Sequence, residues 1–202
     1  SWDPVLHWLL AKPTLELTQL RTRTLLKTHN RTRLLPGNEL KLALPNGGAG
    51  AAMDLSIVFE LPAAPSTRLT KSYQMRAPVV QYGIRVLGRT GPLLNITVKM
   101  AQDGVNKLCF VDGPLGNGPA AHAPFPITAS EETLQVRVLT DRSVAEFFVA
   151  GGRASRTMRH YPARADYGVS VIGTTGRDHT LAVRSIEAFE LGCGWSSGNF
   201  AP

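Results

Sequence analysis

"DRSVAEFFVAGGRASRTMRHYP", Asp141 to Pro162, begins with an acid, an arginine, a serine and a second acid inside six residues. Its polar side chains suggest a reaction centre; its punctuation suggests a sheet. Just upstream, "TLQVRVLT" alternates, with Leu134, Val136 and Val138 on one face and Gln135 and Arg137 on the other, the two-residue period of a half-buried strand. Asp141-Arg142 then read as a tight two-residue reversal, where the Asp141 carboxylate is suited to accept hydrogen bonds from backbone amides just ahead of it. "SVAEFFV" returns, Gly151 and Gly152 supply positive φ for a second reversal, and "ASRTMRHY" makes a third strand that Pro162 stops. The polar residues therefore sit in a three-stranded meander. Glu146 falls mid-strand among Val144, Phe147 and Phe148. A structural ion pair with Arg142, Arg153 or Arg156 is expected there, ahead of a ligand contact or a catalytic acid.

The same rhythm extends along most of the chain. Turn signals recur at "PGN" (36), "PNGGAG" (45), "PAAPS" (62), "GRTGP" (88), "QDGVN" (102), "DGPLGNGP" (112) and "TTGRD" (174). Between them lie "LKLAL", "MDLSIVFEL", "YGIRVL", "LNITVKM", "KLCFVD", "GVSVIGT" and "LAVRSIEAFEL", all β-branched or alternating. Short strands at about ten-residue spacing, with no convincing amphipathic helix, predict an all-β fold, an antiparallel β-sandwich of two sheets. Residues 1–21 read differently: Trp2, Trp8, Leu9 and Leu10, a break at Pro13, then "TLELTQL". A linker is expected there, either one helical turn capped by Thr14 or an extended segment packing its tryptophans on a neighbour. The sandwich is expected over 22–192 and a tail over 193–202.

The 202 residues carry a net charge of +7, with arginine far ahead of lysine. A basic balance permits nucleic-acid binding, but "RTRTLLKTHNRTR" (Arg21 to Arg33) has no interleaved aromatic platform and reads as a basic strand face, so no nucleic-acid partner is expected. No apolar run long enough to span a bilayer occurs, and no metal or cofactor is expected. Cys109 and Cys193 lack metal-ligand spacing and are the candidate disulfide pair; sequence leaves their pairing open. The sequons at Asn30 ("NRT") and Asn95 ("NIT"), with an even cysteine count, favour an exported glycoprotein, secreted or vacuolar.

The opening stretch also resembles a signature of glycoside hydrolase family 32, the invertases, fructan hydrolases and fructosyltransferases. Asp141, Arg142, Ser143, Glu146, Phe148, Gly151, Gly152, Tyr161 and Pro162 match its D-[RH]-S-x-[VI]-E-x-F segment, glycine turn and Tyr-Pro strand end. Ala145 stands where the family usually has valine or isoleucine. "KLCFVD" with "HAPFPI", "LLAKPTLELTQLR" and "IEAFEL" are similar to the family's preceding strand, interdomain linker and closing strand. The resemblance implies a structural role for these residues in the C-terminal sandwich of a two-domain enzyme whose active site lies in an N-terminal propeller. The family's Asn-Asp-Pro, Arg-Asp-Pro and Glu-Cys catalytic segments do not occur, so no catalytic residue is expected. The implied partner is that propeller, with fructan or sucrose-type carbohydrate and a second copy of the chain as further candidates.

Elementary chemistry agrees. A retaining glycosidase needs two carboxyls about 5 Å apart. Glu131 and Glu132 are sequence neighbours that a strand would point to opposite faces, and neither Asp141 nor Glu146 is offered a second acid. His122, His160 and His179 lack zinc spacing and read as surface or packing residues. The alternative is an inactive sandwich serving as a structural or carbohydrate-binding subunit. A free-standing lectin is least favoured: Trp2, Trp8 and Trp195 lie near the chain ends, and no acidic cluster suggests calcium.

Overall fold

Alternation in "AMDLSIVFE" sets the architecture: Met53, Leu55, Ile57 and Phe59 are fully buried on one side, while Ser56, Val58 and Glu60 are only half-buried on the other. The computed structural model describes residues 1–3, 8–45, 49–61, 80–100, 107–112, 125–128, 130–175 and 181–192. The strands are β1 (Trp2–Asp3), β2 (Trp8–Leu9), β3 (Arg21–Thr28), β4 (Thr32–Leu34), β5 (Glu39–Lys41), β6 (Ala52–Glu60), β7 (Val80–Arg85) and β8 (Leu93–Met100). They continue with β9 (Lys107–Asp112), β10 (Phe125–Ile127), β11 (Thr133–Asp141), β12 (Val144–Val149), β13 (Ala154–Arg159), β14 (Ser170–Thr175) and β15 (Leu181–Leu191).

Two antiparallel sheets form the sandwich. One runs β13-β12-β11-β6-β15-β3, with β4 pairing the other end of β15; the second runs β10-β9-β8-β7-β14-β5. Between them lies a single apolar core, with Leu55, Phe59, Val136, Val138 and Phe147 from the first sheet and Tyr82, Ile84, Ile96, Val98, Val111 and Val171 from the second. Phe59 and Tyr82 stack across the gap with ring centroids 4.1 Å apart. Leu134, Val136 and Val138 face this core as the alternation requires, while Gln135 turns outward to donate to the Ser56 hydroxyl at 3.0 Å.

"LKLAL" contributes less sheet than expected, only Leu40 and Lys41 of the strand Glu39–Lys41, because past Lys41 one more bond forms to the neighbouring chain, Leu42 N–H to Val169 O, before the Leu44 N–H returns to Leu42 O and the ladder ends. At the N-terminus β1 and β2 form a small hairpin closed by Ser1 and Leu10. A 3-10 helix, Leu15–Leu20, follows, preceded by an extended Thr14 whose side chain makes no capping hydrogen bond. No helix among the described residues is long and apolar enough to cross a membrane.

Candidate functional site

The β11–β12–β13 meander exists, with its first turn displaced. Asp141 pairs with Val144 on β12 and with Ala52 on β6, so the ladder carries it to the end of β11 and the reversal falls on Arg142-Ser143, one residue later than expected. Arg142 takes the left-handed φ of 49° that a two-residue hairpin loop requires. Its N–H donates to Ala51 O at 2.5 Å, and the His160 N–H donates to Ser143 O at 2.8 Å. Asp141 is exposed, and its carboxylate accepts no hydrogen bond among the described residues, contrary to the turn role expected of it. The second reversal does use Gly151 and Gly152, at φ 67° and 96°, preceded by Ala150 at 50°. A side chain at 152 would collide with the Ala11 carbonyl, and the Ala11 N–H donates to Gly152 O at 2.9 Å. The N-terminal segment thus lies directly on the glycine turn.

Glu146 sits on the outer face of the first sheet, in a cross-strand row running Thr157, Glu146, Leu139, Asp54, Phe189. It has no ion pair among the described residues, which corrects the expected one. Arg156 is opposite Phe147, a core residue, and so projects from the other face. Arg153 turns instead to Glu131, its two guanidinium nitrogens 2.8 and 3.0 Å from the carboxylate, and the Thr128 N–H adds a bond of 2.7 Å. Burial pushes the Glu131 carboxyl up, but the hydrogen bonds from Arg153 and Thr128 outweigh it and hold it below the usual carboxylate range.

The outer face does hold an organised cluster, centred on Asp54. Its side chain is 0% exposed, although the alternation of β6 points it away from the core. The Arg137 Nε donates to Oδ1 at 2.8 Å and its terminal nitrogen to Oδ2 at 2.8 Å; the Arg21 Nε adds a bond to Oδ2 at 2.8 Å. The Arg21 guanidinium also stacks 4.1 Å above the Phe189 ring. Arg21 opens β3, so this cluster fastens the end of the N-terminal segment to the middle of the sheet. Nothing in the sequence announced it; the arginine-rich stretch was the one available signal. Three of its other cations are matched too, Arg23 to Glu190, Lys27 to Glu187 and Arg31 to Glu60.

Among the described residues the outer face lacks a glycosidase pair. Glu146 and Asp54 stand two strands apart, about 10 Å at normal strand spacing, whereas a retaining pair needs about 5 Å. Asp54 is moreover sealed beneath two guanidiniums. Among the described residues no three histidine, cysteine or acidic side chains group together for a metal.

The remaining candidates are dispersed. Phe148 is half-buried beside Arg137 on the outer face. Tyr161 is 70% exposed beneath the Arg159 guanidinium, 5.3 Å from its ring centre, and Pro162 introduces a 3-10 turn. Asn30 lies exposed in the β3–β4 turn, whereas Asn95 is half-buried in mid-strand opposite Gly83 and Asp112. Cys109 is a free thiol enclosed in the core, where burial raises its pKa; Cys193 lies outside the described residues, as do Trp195, His122 and His179.

Fold and site together define an all-β sandwich domain whose polar clusters tie strands and an N-terminal segment together. The chain belongs to the family of the glycosyl hydrolases family 32 C-terminal domain, whose model matches residues 16–190. No curated protein matches the sequence. Among solved structures, fructan 1-exohydrolase IIa from Cichorium intybus is 19% identical with a TM-score of 0.59, over 95% of this chain and 39% of that one. Exo-inulinase from Aspergillus awamori is 14% identical with a TM-score of 0.53, over 93% and 33%. The chain therefore spans well under half the length of the enzymes it resembles.

Proposed function

We propose that the chain is the non-catalytic sandwich of a β-fructofuranosidase-like glycoside hydrolase, bracing a catalytic domain that supplies both reacting carboxylates. The observation that carries this reading is the family match over residues 16–190, on a fold whose outer-face acids are spaced and sealed against catalysis. In this reading residues 1–21 are the interdomain linker, 22–192 the bracing sandwich and 193–202 a tail. The clasp of Ala11 on Gly152 and of Arg21 on Asp54 holds such a linker rigidly to the sheet, which is what a brace requires. The enzyme acts outside the cell or in a vacuole, with Asn30 as the glycan acceptor, because it stands clear of the sheet and Asn95 does not.

The test is enzymatic. Alone, the chain releases no fructose from sucrose or inulin. Joined to the catalytic portion of its natural protein, it raises that portion's melting temperature and the joined enzyme releases fructose. A stable pair that releases none, or release by the chain alone that Glu146→Gln abolishes, overturns the reading.

A further inference from the structure

At the end of the sandwich where β13 faces the loop between β7 and β8, the two sheets part to leave a cleft of about 690 Å³. Arg85, Arg89, Arg156, Arg159 and His160 line it, and none of its lining residues is acidic. Arg156 is half-buried and has no hydrogen bond or ion pair among the described residues. Arg85 has only Glu39, at 3.9 Å, too far for a hydrogen bond. The His160 Nε2 is buried without a partner. Half-buried cations and an unsatisfied ring nitrogen are costly unless a ligand completes them.

The wall opposite β13 is held in place. The Gly88 N–H donates to Gly168 O at 2.9 Å, and the Arg89 N–H donates to the Asp166 carboxylate at 3.1 Å. Asp166, itself exposed, accepts from the Gly168 N–H as well, and the exposed Arg89 lines both the cleft and the neighbouring hollow that Asp166 borders. The Gly91 N–H closes the turn onto Gly88 O at 3.1 Å. Arginines from both sheets thus border the cleft, Arg89 on a loop whose backbone is fixed and Arg159 over the Tyr161 ring.

We propose that this cleft binds the phosphoryl group of a small phosphorylated molecule. A tetrahedral dianion can accept guanidinium groups from several directions at once, and Arg85 and Arg89 from one wall and Arg156 and Arg159 from the other line the same cleft. The volume lies in the range of small-molecule sites and leaves room for a body carrying the phosphoryl group. The site is independent of the bracing role, and its failure would leave that role intact.

Calorimetric titration of the full chain, at matched ionic strength, tests it with inorganic phosphate, glucose 6-phosphate and glucose. Saturable binding of glucose 6-phosphate is expected, with weaker binding of inorganic phosphate and none of glucose. Arg156→Gln should weaken binding at least tenfold and Arg89→Gln severalfold, while Arg23→Gln, paired elsewhere, should change nothing. Arg89→Gln alters an exposed side chain, so it decides the matter if the Arg156 variant melts early. Absence of saturable binding, or binding that both variants leave unchanged, overturns the proposal. So does a cleft that takes a polyglutamate peptide but neither phosphate probe, since that marks a protein contact.

Discussion

An aspartate on the outer side of a strand ordinarily keeps its water, but Asp54 has exchanged it for two guanidiniums. Removing one leaves a carboxylate with 0% side-chain exposure short of half its donors. Arg137→Ala is therefore expected to destabilise the chain by about 1.5–3 kcal/mol, the worth of hydrogen bonds to a charged group. Glu146→Gln, one strand beyond Leu139, removes no partner and should fall within about 0.5 kcal/mol of the parent. Urea titration separates them, and equal effects would show that Glu146 has a partner after all. The contrast also explains why sequence favoured the wrong acid. Glu146 has arginines within ten residues and drew an expected ion pair, whereas Asp54 has its arginines 33 and 83 positions away. Local spacing shows which acid is near a cation along the chain. It does not show which acid the sheet covers.

At the scale of elements, the strands and reversals were legible because alternation and glycine act locally. The displaced first turn was not, because the β6 ladder that draws Asp141 into β11 comes from a strand some eighty residues earlier. The second turn carries a load its glycines do not advertise: Gly151 faces open space, but Gly152 abuts Ala11. Gly151→Ala should cost only the left-handed strain, about 1–2 kcal/mol. Gly152→Ala adds a backbone collision and should expel the N-terminal segment, accelerating chymotryptic cleavage after Leu10 at least tenfold. Equal cleavage in both variants would detach the segment from the turn. The Arg153–Glu131 clasp, which ties this turn to the start of β11, predicts a pH dependence. Because the folded carboxyl titrates below its unfolded value of about 4.3, its contribution is complete above that value and disappears as pH falls through the folded value. The stability difference between parent and Glu131→Gln should be constant above about pH 5 and shrink below about pH 4. A difference that widens in acid would reverse the assignment.

For the whole molecule, the decisive feature is that both sheets share one core, with no second apolar cluster among the described residues. Phe59 comes from the central strand of one sheet and Tyr82 from the other, so their stack is formed only when the sheets have closed. Both rings are inaccessible to water, and collapse around a lost ring is restricted because Leu55, Ile57 and Ile84 nearby are already fully buried. Phe59→Ala should therefore cost about 3–5 kcal/mol, lowering the melting temperature by about 10 °C in a chain of this length. Phe59→Leu, which keeps most of the volume, should cost much less. A shared core also requires the sheets to unfold together. Far-ultraviolet dichroism, reporting strands, and near-ultraviolet dichroism, reporting packed rings such as Tyr82, should give coincident transitions in parent and variants alike. If the near-ultraviolet signal of Phe59→Ala disappears while strand content persists, the sheets hold together through their edges and clasps, and a brace built on a common core is the wrong description.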